Sequence, residues 1–257
     1  MELNQILFGV YPYIALSVLA IGSIIRFDRE QYTWRSKSSQ LLRRKQLVTG
    51  SVLFHVGVLT IFGGHFVGLL TPLWVWAALG VPHEVKQIMA MSVGGAAGVL
   101  CLTGGLILLH RRLFDPRIRK TSSFGDTAIL ILLMIQVSLG LCTIPLSAQH
   151  LDGREMVKLM TWAQGVFTFR PNDAQLIADV NPVFKAHLVN GMTIFLVFPF
   201  TRLVHMLSAP VWYLNRRGWQ LVRTRRALPS RPLAAAPDWS KAAAPQPARA
   251  PAAKPAE

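Results

Sequence analysis

The stretch FHVGVLTIFGGHF, residues 54–66, contains no charged residue and carries two histidines ten positions apart. It lies inside a longer uncharged run, 48–70, which is long enough to cross a hydrocarbon core of about 30 Å as a helix. A helix satisfies its own backbone hydrogen bonds, as a membrane span must. Imidazole rings at that depth have no water to bond, so both histidines are candidates for a functional role.

Four more apolar runs have a similar length, and the chain of 257 residues is 52% hydrophobic and 15% charged. Only the last of the five contains a charge, Arg202 near its end. We therefore predict an all-α integral membrane bundle of five transmembrane helices. The four additional predicted spans are 3–25, 88–110, 127–149 and 186–206.

The basic residues alternate strongly between the connections. Segment 26–46 holds seven Lys or Arg residues, 111–120 holds five, and the region after 206 holds nine, whereas 71–87 and 150–185 together hold five. By the positive-inside rule, this predicts that the N-terminus is outside and the C-terminus inside. The net charge of +15 does not indicate nucleic-acid binding, because the basic residues follow the alternation of the connections between spans.

The two ends of the chain differ in composition. The N-terminal sequence MELNQILFGV has no basic region, which indicates a retained anchor rather than a cleaved signal. From Pro229 onward, Ala and Pro fill 18 of the last 29 positions, which predicts disorder. We therefore expect a membrane domain over 1–226 and a disordered cytoplasmic tail over 227–257.

Two smaller features complete the pattern. Cys101 and Cys142 lie inside predicted spans without partners for a metal or a disulfide, which indicates small buried apolar residues. In the long outer connection, residues 154–169 are typical of an interfacial helix, with Trp162 in the headgroup zone.

Four of the seven histidines lie in predicted spans: His55 and His65 in the second, His187 and His205 near the two ends of the fifth. The two spans run in opposite directions, so His55 is level with His205 on the inner side, and His65 with His187 on the outer side. Facing imidazoles are the arrangement for axial ligation of haem iron. Eighteen residues make five helical turns, which predicts that His187 and His205 share one face and that two haems are stacked.

The spacing of the two pairs is uneven. The ten residues from His55 to His65 rise about 15 Å along a helix, and the eighteen from His187 to His205 rise about 27 Å. Level pairing therefore requires a tilted helix, a bend at Pro199, or ligands that lean together. Small residues surround the ligands of the second span, and they allow either close approach of a flat macrocycle or ordinary helix packing. These small residues are Gly57, Gly63, Gly64 and Gly68, and Gly191 follows His187.

Several long motifs resemble a known family, the gamma (cytochrome b) subunit of respiratory nitrate reductase, over about residues 8–226. The matching stretches are YPYIA at 11–15, QYTWR at 31–35, LFHVGVLTIFGGHF at 53–66, LLTPLW at 69–74, EVKQIMAM at 84–91, RRLFDPR at 111–117, TIPLSAQHLDG at 143–153 and FPFTRLVH at 198–205.

The resemblance implies two b-type haems, ligated by His55 with His205 (inner) and by His65 with His187 (outer). It also implies oxidation of menaquinol or ubiquinol beside the outer haem, with Lys86 and Gly64 in the quinol site. On the residues alone, Lys86 also fits an interfacial side chain that reaches the headgroups.

The implied partners are an iron–sulfur beta subunit and a molybdopterin-containing alpha subunit that reduces nitrate at the cytoplasmic face. The implied location is the lipid bilayer of the bacterial inner membrane, where the chain would be the quinol-oxidising subunit of the enzyme.

Three alternatives remain at this point. The chain could be a di-haem quinol subunit of a different oxidoreductase, or a haem-free anchor whose histidines bond between helices. A channel or transporter with a histidine proton relay is disfavoured, because the predicted spans lack the acidic partners of such relays.

Overall fold

The computed structural model describes residues 3–34, 42–170 and 173–208, and all regular structure in these ranges is helical. Five helices are long and apolar enough to cross a membrane, which confirms the predicted fold class. The basic region after 208, the expected domain boundary at 226 and the tail 227–257 lie outside the described residues. The helices are span 1 (Leu3–Arg29), span 2 (Arg44–Leu70), span 3 (His83–Phe114), span 4 (Phe124–Ala148) and span 5 (Pro182–Phe200).

The first four spans are longer than the apolar runs that predicted them, because polar residues extend the helices beyond the hydrocarbon region.

The N-terminal end of span 4 is fixed by side-chain capping. Ser123 Oγ accepts a hydrogen bond from the Asp126 backbone N–H at 3.2 Å, and Asp126 Oδ2 accepts one from the Ser123 N–H at 3.4 Å. This reciprocal capping box satisfies N–H groups that have no partner within the helix.

The spans pack in a row in the order 2, 3, 4, 5 and 1. Close contact between spans 2 and 3 depends on Gly57. A Cβ atom there would lie 2.5 Å from the Cys101 nitrogen and 2.6 Å from the Ala97 oxygen. At this position, the helix-packing explanation of the glycines is therefore correct.

The glycines nearer the outer end of span 2 are different. Among the described residues, a Cβ atom at Gly63, Gly64 or Gly68 would have no neighbour within 4 Å outside its own stretch of helix. This part of span 2 therefore presents an open helix face beside His65, and helix packing does not account for these three residues.

Span 5 does not continue as one helix to His205. The α-helix Pro182–Val197 is followed by a 3-10 turn, Phe198–Phe200, and then by Thr201 with φ −116° and ψ 179°. A second 3-10 segment, Arg202–Ser208, carries His205. The expected shared face of His187 and His205 is therefore wrong, whereas the bend at Pro199 is confirmed; proline lacks the N–H that would continue the helix.

The outer connection forms the predicted helix, Arg154–Phe167. Trp162, however, is only 3% exposed, and its Nε1–H donates to the Phe8 oxygen at 2.9 Å. The headgroup position expected for Trp162 is therefore wrong, because this helix turns its tryptophan inward onto span 1. Phe167 and Phe169 are exposed.

An ion pair also ties the outer helix to the segment before span 5. Lys158 Nζ donates to Asp179 Oδ2 at 2.7 Å, a hydrogen bond that raises the pKa of Lys158 and lowers that of Asp179. Both groups are exposed to solvent, so the pair contributes little to stability.

The two cysteines have different environments. Cys101 is buried against span 2, as expected, but Cys142 is exposed on the outside of span 4. The expectation of burial is wrong for Cys142, because an apolar side chain in a membrane can face lipid instead of protein.

The contact at Gly57 predicts that an alanine substitution lowers the stability of the protein more at Gly57 than at Gly94. Gly57→Ala should destabilise the protein by about 1–3 kcal/mol, because the methyl group meets backbone atoms of span 3. Thermal unfolding in detergent measures the change. Gly94→Ala in span 3 is the matched control, since a Cβ there meets nothing within 4 Å. Equal melting temperatures for the two variants would contradict this packing.

Candidate functional site

The structure brings the two outer histidines together. The ring centroids of His65 on span 2 and His187 on span 5 are 6.0 Å apart, with ring planes tilted by 36°. Metal–imidazole bonds of about 2 Å on opposite sides of one metal leave ring centres about 6 Å apart. The observed separation therefore suits two imidazoles that share one metal ion.

Three of the four candidate ligands have their Nδ1 atom fixed by a backbone carbonyl three or four residues earlier. A carbonyl oxygen only accepts hydrogen bonds, so Nδ1 carries the hydrogen and Nε2 keeps a free lone pair. This is the usual support for a metal-bound histidine. The distances are 2.7 Å from His55 to Ser51 O, 2.8 Å from His65 to Ile61 O and 2.5 Å from His205 to Arg202 O.

His187 is held differently, by a side-chain relay from span 4. Asn190 Nδ2 donates to the Leu132 oxygen at 3.2 Å and to Gln136 Oε1 at 2.8 Å. That leaves the Gln136 amide N–H facing His187 Nε2 at 3.2 Å. The buried Nδ1 of His187 has no partner among the described residues. An iron at Nε2 would take the place of the Gln136 bond.

The sequence did not lead us to expect roles for Gln136 and Asn190. Their position within apolar spans was an indication, because uncharged amide side chains there usually hydrogen-bond between helices. The amide groups lie 54 positions apart in the chain, however, so only the packing of span 4 on span 5 shows that they meet.

The inner histidines are not in ring contact. His55 is exposed on span 2 and packs edge-on against Phe54, with ring centroids 5.5 Å apart. His205 is half-buried beyond the break in span 5. The pairing of His55 with His205 therefore stays a prediction.

The residues at these positions fit a haem better than a metal held by side chains alone. Within residues 3–34, 42–170 and 173–208, no three His, Cys, Asp or Glu side chains cluster around a common point. His65 and His187 instead lie beside the open glycine face of span 2. A flat macrocycle needs such open space together with ring nitrogens that can bind its metal.

Lys86, near the outer end of span 3, is only 6% exposed. Its Nζ donates to the Gly68 oxygen at 2.9 Å and to the Met160 sulfur at 2.7 Å. Because Lys86 is buried, its side chain does not reach the lipid headgroups, and the interfacial interpretation is wrong. The glycine that Lys86 contacts is Gly68, one turn after the expected Gly64 and three residues after His65.

Trp76 adds a second donor beside Lys86. Lys86 Nζ lies 4.5 Å from the centre of the Trp76 ring, within cation–π range. The indole Nε1 of Trp76 is buried and has no hydrogen-bond partner among the described residues. No described carboxylate lies within ion-pair distance of Lys86. Two polar donors therefore stand next to the open end of span 2.

Comparison with known proteins finds one family over most of the chain. The nitrate reductase gamma subunit family matches residues 4–225. The chain is 57% identical over 223 residues to the "Respiratory nitrate reductase 1 gamma chain" of Escherichia coli (strain K12), which covers 87% of this chain and 98% of that protein. It is 52% identical to the "Respiratory nitrate reductase 2 gamma chain" of the same strain, over 87% of this chain and 98% of that protein. Identity to the "Nitrate reductase gamma chain" of Bacillus subtilis (strain 168) is 43%, over 83% of this chain and 95% of that protein.

Proposed function

The chain belongs to the nitrate reductase gamma subunit family, and on that premise we propose that it oxidises quinol and ligates two b haems. In this proposal quinol is oxidised near the outer face of the bacterial inner membrane. Electrons pass through haems held by His65 with His187 and by His55 with His205. They leave at the cytoplasmic face to an iron–sulfur beta subunit and a molybdopterin-containing alpha subunit that reduces nitrate.

The observation that carries the proposal is the outer histidine pair. His65 and His187 come from different spans, yet their ring centres are 6.0 Å apart at membrane depth. Two imidazoles joined by a direct hydrogen bond, with nitrogens about 3 Å apart, would have ring centres about 5 Å apart. The observed 6.0 Å between ring centres is closer to that of two rings on either side of one metal, which supports a haem protein over a haem-free anchor.

The haems, when bound, would supply one-electron transfer. His65 with His187 would hold one haem, and His55 with His205 would hold the other. Backbone carbonyls orient His55, His65 and His205 by holding Nδ1–H, and the Gln136 relay places His187. The protein thereby fixes the position of each ligand before the group binds.

Quinol would bind where Lys86 and Trp76 meet the open end of span 2. Lys86 Nζ donates a hydrogen bond to a quinol oxygen, and its positive charge favours loss of the proton from that oxygen. The open helix face at Gly64 and Gly68 lets a flat ring approach the backbone. Protons released outside while electrons move inward separate charge, and each elementary charge stores about 2.3 kcal/mol per 100 mV.

The inner ends of the spans are suited to contact with the other subunits. Exposed aromatic side chains lie beside the basic segments there, and exposed aromatics with basic residues are typical of protein interfaces. These aromatics are Tyr32 (94% exposed), Phe114 (71%) and Phe124 (89%).

The first prediction concerns the ligands. His65→Ala and His187→Ala should each reduce the haem content of the purified complex from two per gamma chain to one, and both should remove the same haem. His55→Ala and His205→Ala should each remove the other one. Absorption spectra during a redox titration distinguish the two species.

His110→Ala is the matched control, because His110 is exposed on span 3 and stacks only on Phe114. It should retain both haems. Variants of one proposed pair that removed different haems would show that the pairing is wrong.

The second prediction concerns Lys86. Lys86→Gln should lower quinol-driven nitrate reduction by about 100-fold, since the side chain would no longer assist proton loss. Haem content should not change. Reduction of nitrate by a reduced viologen dye, which supplies electrons directly to the partner subunits, should keep its normal rate.

Lys158→Gln is the control for Lys86, because Lys158 is also an outer lysine but pairs with Asp179 at the surface. It should keep normal quinol-driven activity. If Lys86→Gln also keeps it, the quinol site lies elsewhere.

A further inference from the structure

The break in span 5 takes backbone carbonyls out of the regular α-helix. Pro199 and Thr201 lie in the break, where the backbone leaves the helical conformation. In a membrane such groups must be bonded within the protein, since lipid offers no donor. The segment that follows the break, Arg202–Ser208, carries His205.

Arg26, near the inner end of span 1, donates hydrogen bonds to two carbonyls of the break. Its Nη1 donates to the Pro199 oxygen at 2.5 Å and to the Thr201 oxygen at 2.8 Å. The same guanidinium donates from Nη2 to the Thr33 oxygen at 2.9 Å and from Nε to the Thr33 hydroxyl at 3.3 Å. No described carboxylate forms an ion pair with Arg26. Its hydrogen bonds thus join three separate segments.

Gly22 lies one turn before Arg26 on the same face of span 1. A Cβ atom at Gly22 would lie 2.9 Å from Cγ of Pro199. The missing side chain lets span 1 approach the break closely enough for the guanidinium to reach both carbonyls.

The segment that carries His205 is also held by contacts that do not involve Arg26. Leu203 and Val204 are buried in a cluster with Ile129, Ile194 and Phe198, and Trp34 packs against this cluster. The Trp34 indole N–H donates to the Ser208 hydroxyl at 2.5 Å. The His205 segment is therefore preceded by the contacts of Arg26 and packed by those of Leu203, Val204 and Ser208.

We propose that Arg26 is a positioning residue for the inner haem: by bonding the Pro199 and Thr201 carbonyls, it orients the segment that presents His205. The outer ligand His187 lies within a regular helix, Pro182–Val197, and needs no such support. Loss of Arg26 should therefore affect one haem and leave the other unchanged. This inference rests on the proposed function, since it requires His205 to be a haem ligand.

The test compares Arg26→Gln, Arg26→Lys and Arg29→Gln in the purified nitrate reductase complex. Arg29 is the matched control, because it lies three residues later with its side chain 80% exposed and contacts Asp28. Haem content, the absorption spectrum of each haem and each midpoint potential are measured. The inner haem is identified as the one that His205→Ala removes.

For Arg26→Gln we expect about tenfold weaker retention of the inner haem, measured by transfer to a haem-accepting protein, and an altered inner-haem spectrum. The outer haem should keep its content and potential. Arg26→Lys, which keeps a charged donor on a long side chain, should restore part of the retention, and Arg29→Gln should match the wild type.

Two results would overturn the positioning role. The inner haem of Arg26→Gln could be retained as in the wild type, or both haems could be lost in equal proportion, as in general unfolding. A wild-type complex without haem would instead overturn the proposed function, and the positioning role with it. The wild-type haem content therefore tells the two failures apart.

Discussion

Polar groups in the hydrocarbon core have no water to bond, and the rest of the structure depends on this constraint. It makes the spans helical and requires a partner for each buried donor and acceptor. Ring Nδ1 atoms bond backbone carbonyls, Lys86 bonds the free carbonyl of Gly68, and Arg26 bonds the carbonyls that the break in span 5 exposes. Two of the buried groups that have no partner among the described residues, His187 Nδ1 and Trp76 Nε1, lie beside the proposed haem and quinol sites.

The same constraint explains how a small chain could organise electron transfer across a bilayer. Span 2 is anchored to span 3 at Gly57, and its outer half presents an open face with His65. Span 5 brings His187 to that face, and the break after Val197 redirects the chain toward His205. Lys86 lies within one turn of His65 through its bond to Gly68. The proposed electron donor, the outer haem and the inner haem thus follow one another from the outer face inward.

The sequence predicted the five spans well, because an apolar run of about twenty residues is typical of a transmembrane helix. It indicated four histidines as candidate ligands from their rarity at membrane depth and their opposite order on two spans, and the structure brings two of them, His65 and His187, together. Other features depend on packing between distant segments. Amphipathicity indicated the outer helix, but not that Trp162 bonds Phe8; Pro199 indicated a bend, but not that Arg26 holds it. The relay from Asn190 through Gln136 to His187 requires the observed contact of spans 4 and 5.

The central claim is that two histidine pairs hold two haems, and haem content tests it most directly. Haem extracted from the purified complex and quantified as its pyridine complex should give two b-type haems per gamma chain. A fully assembled complex without haem would contradict the account, because the four histidines would then serve only hydrogen bonding and the chain would be an anchor.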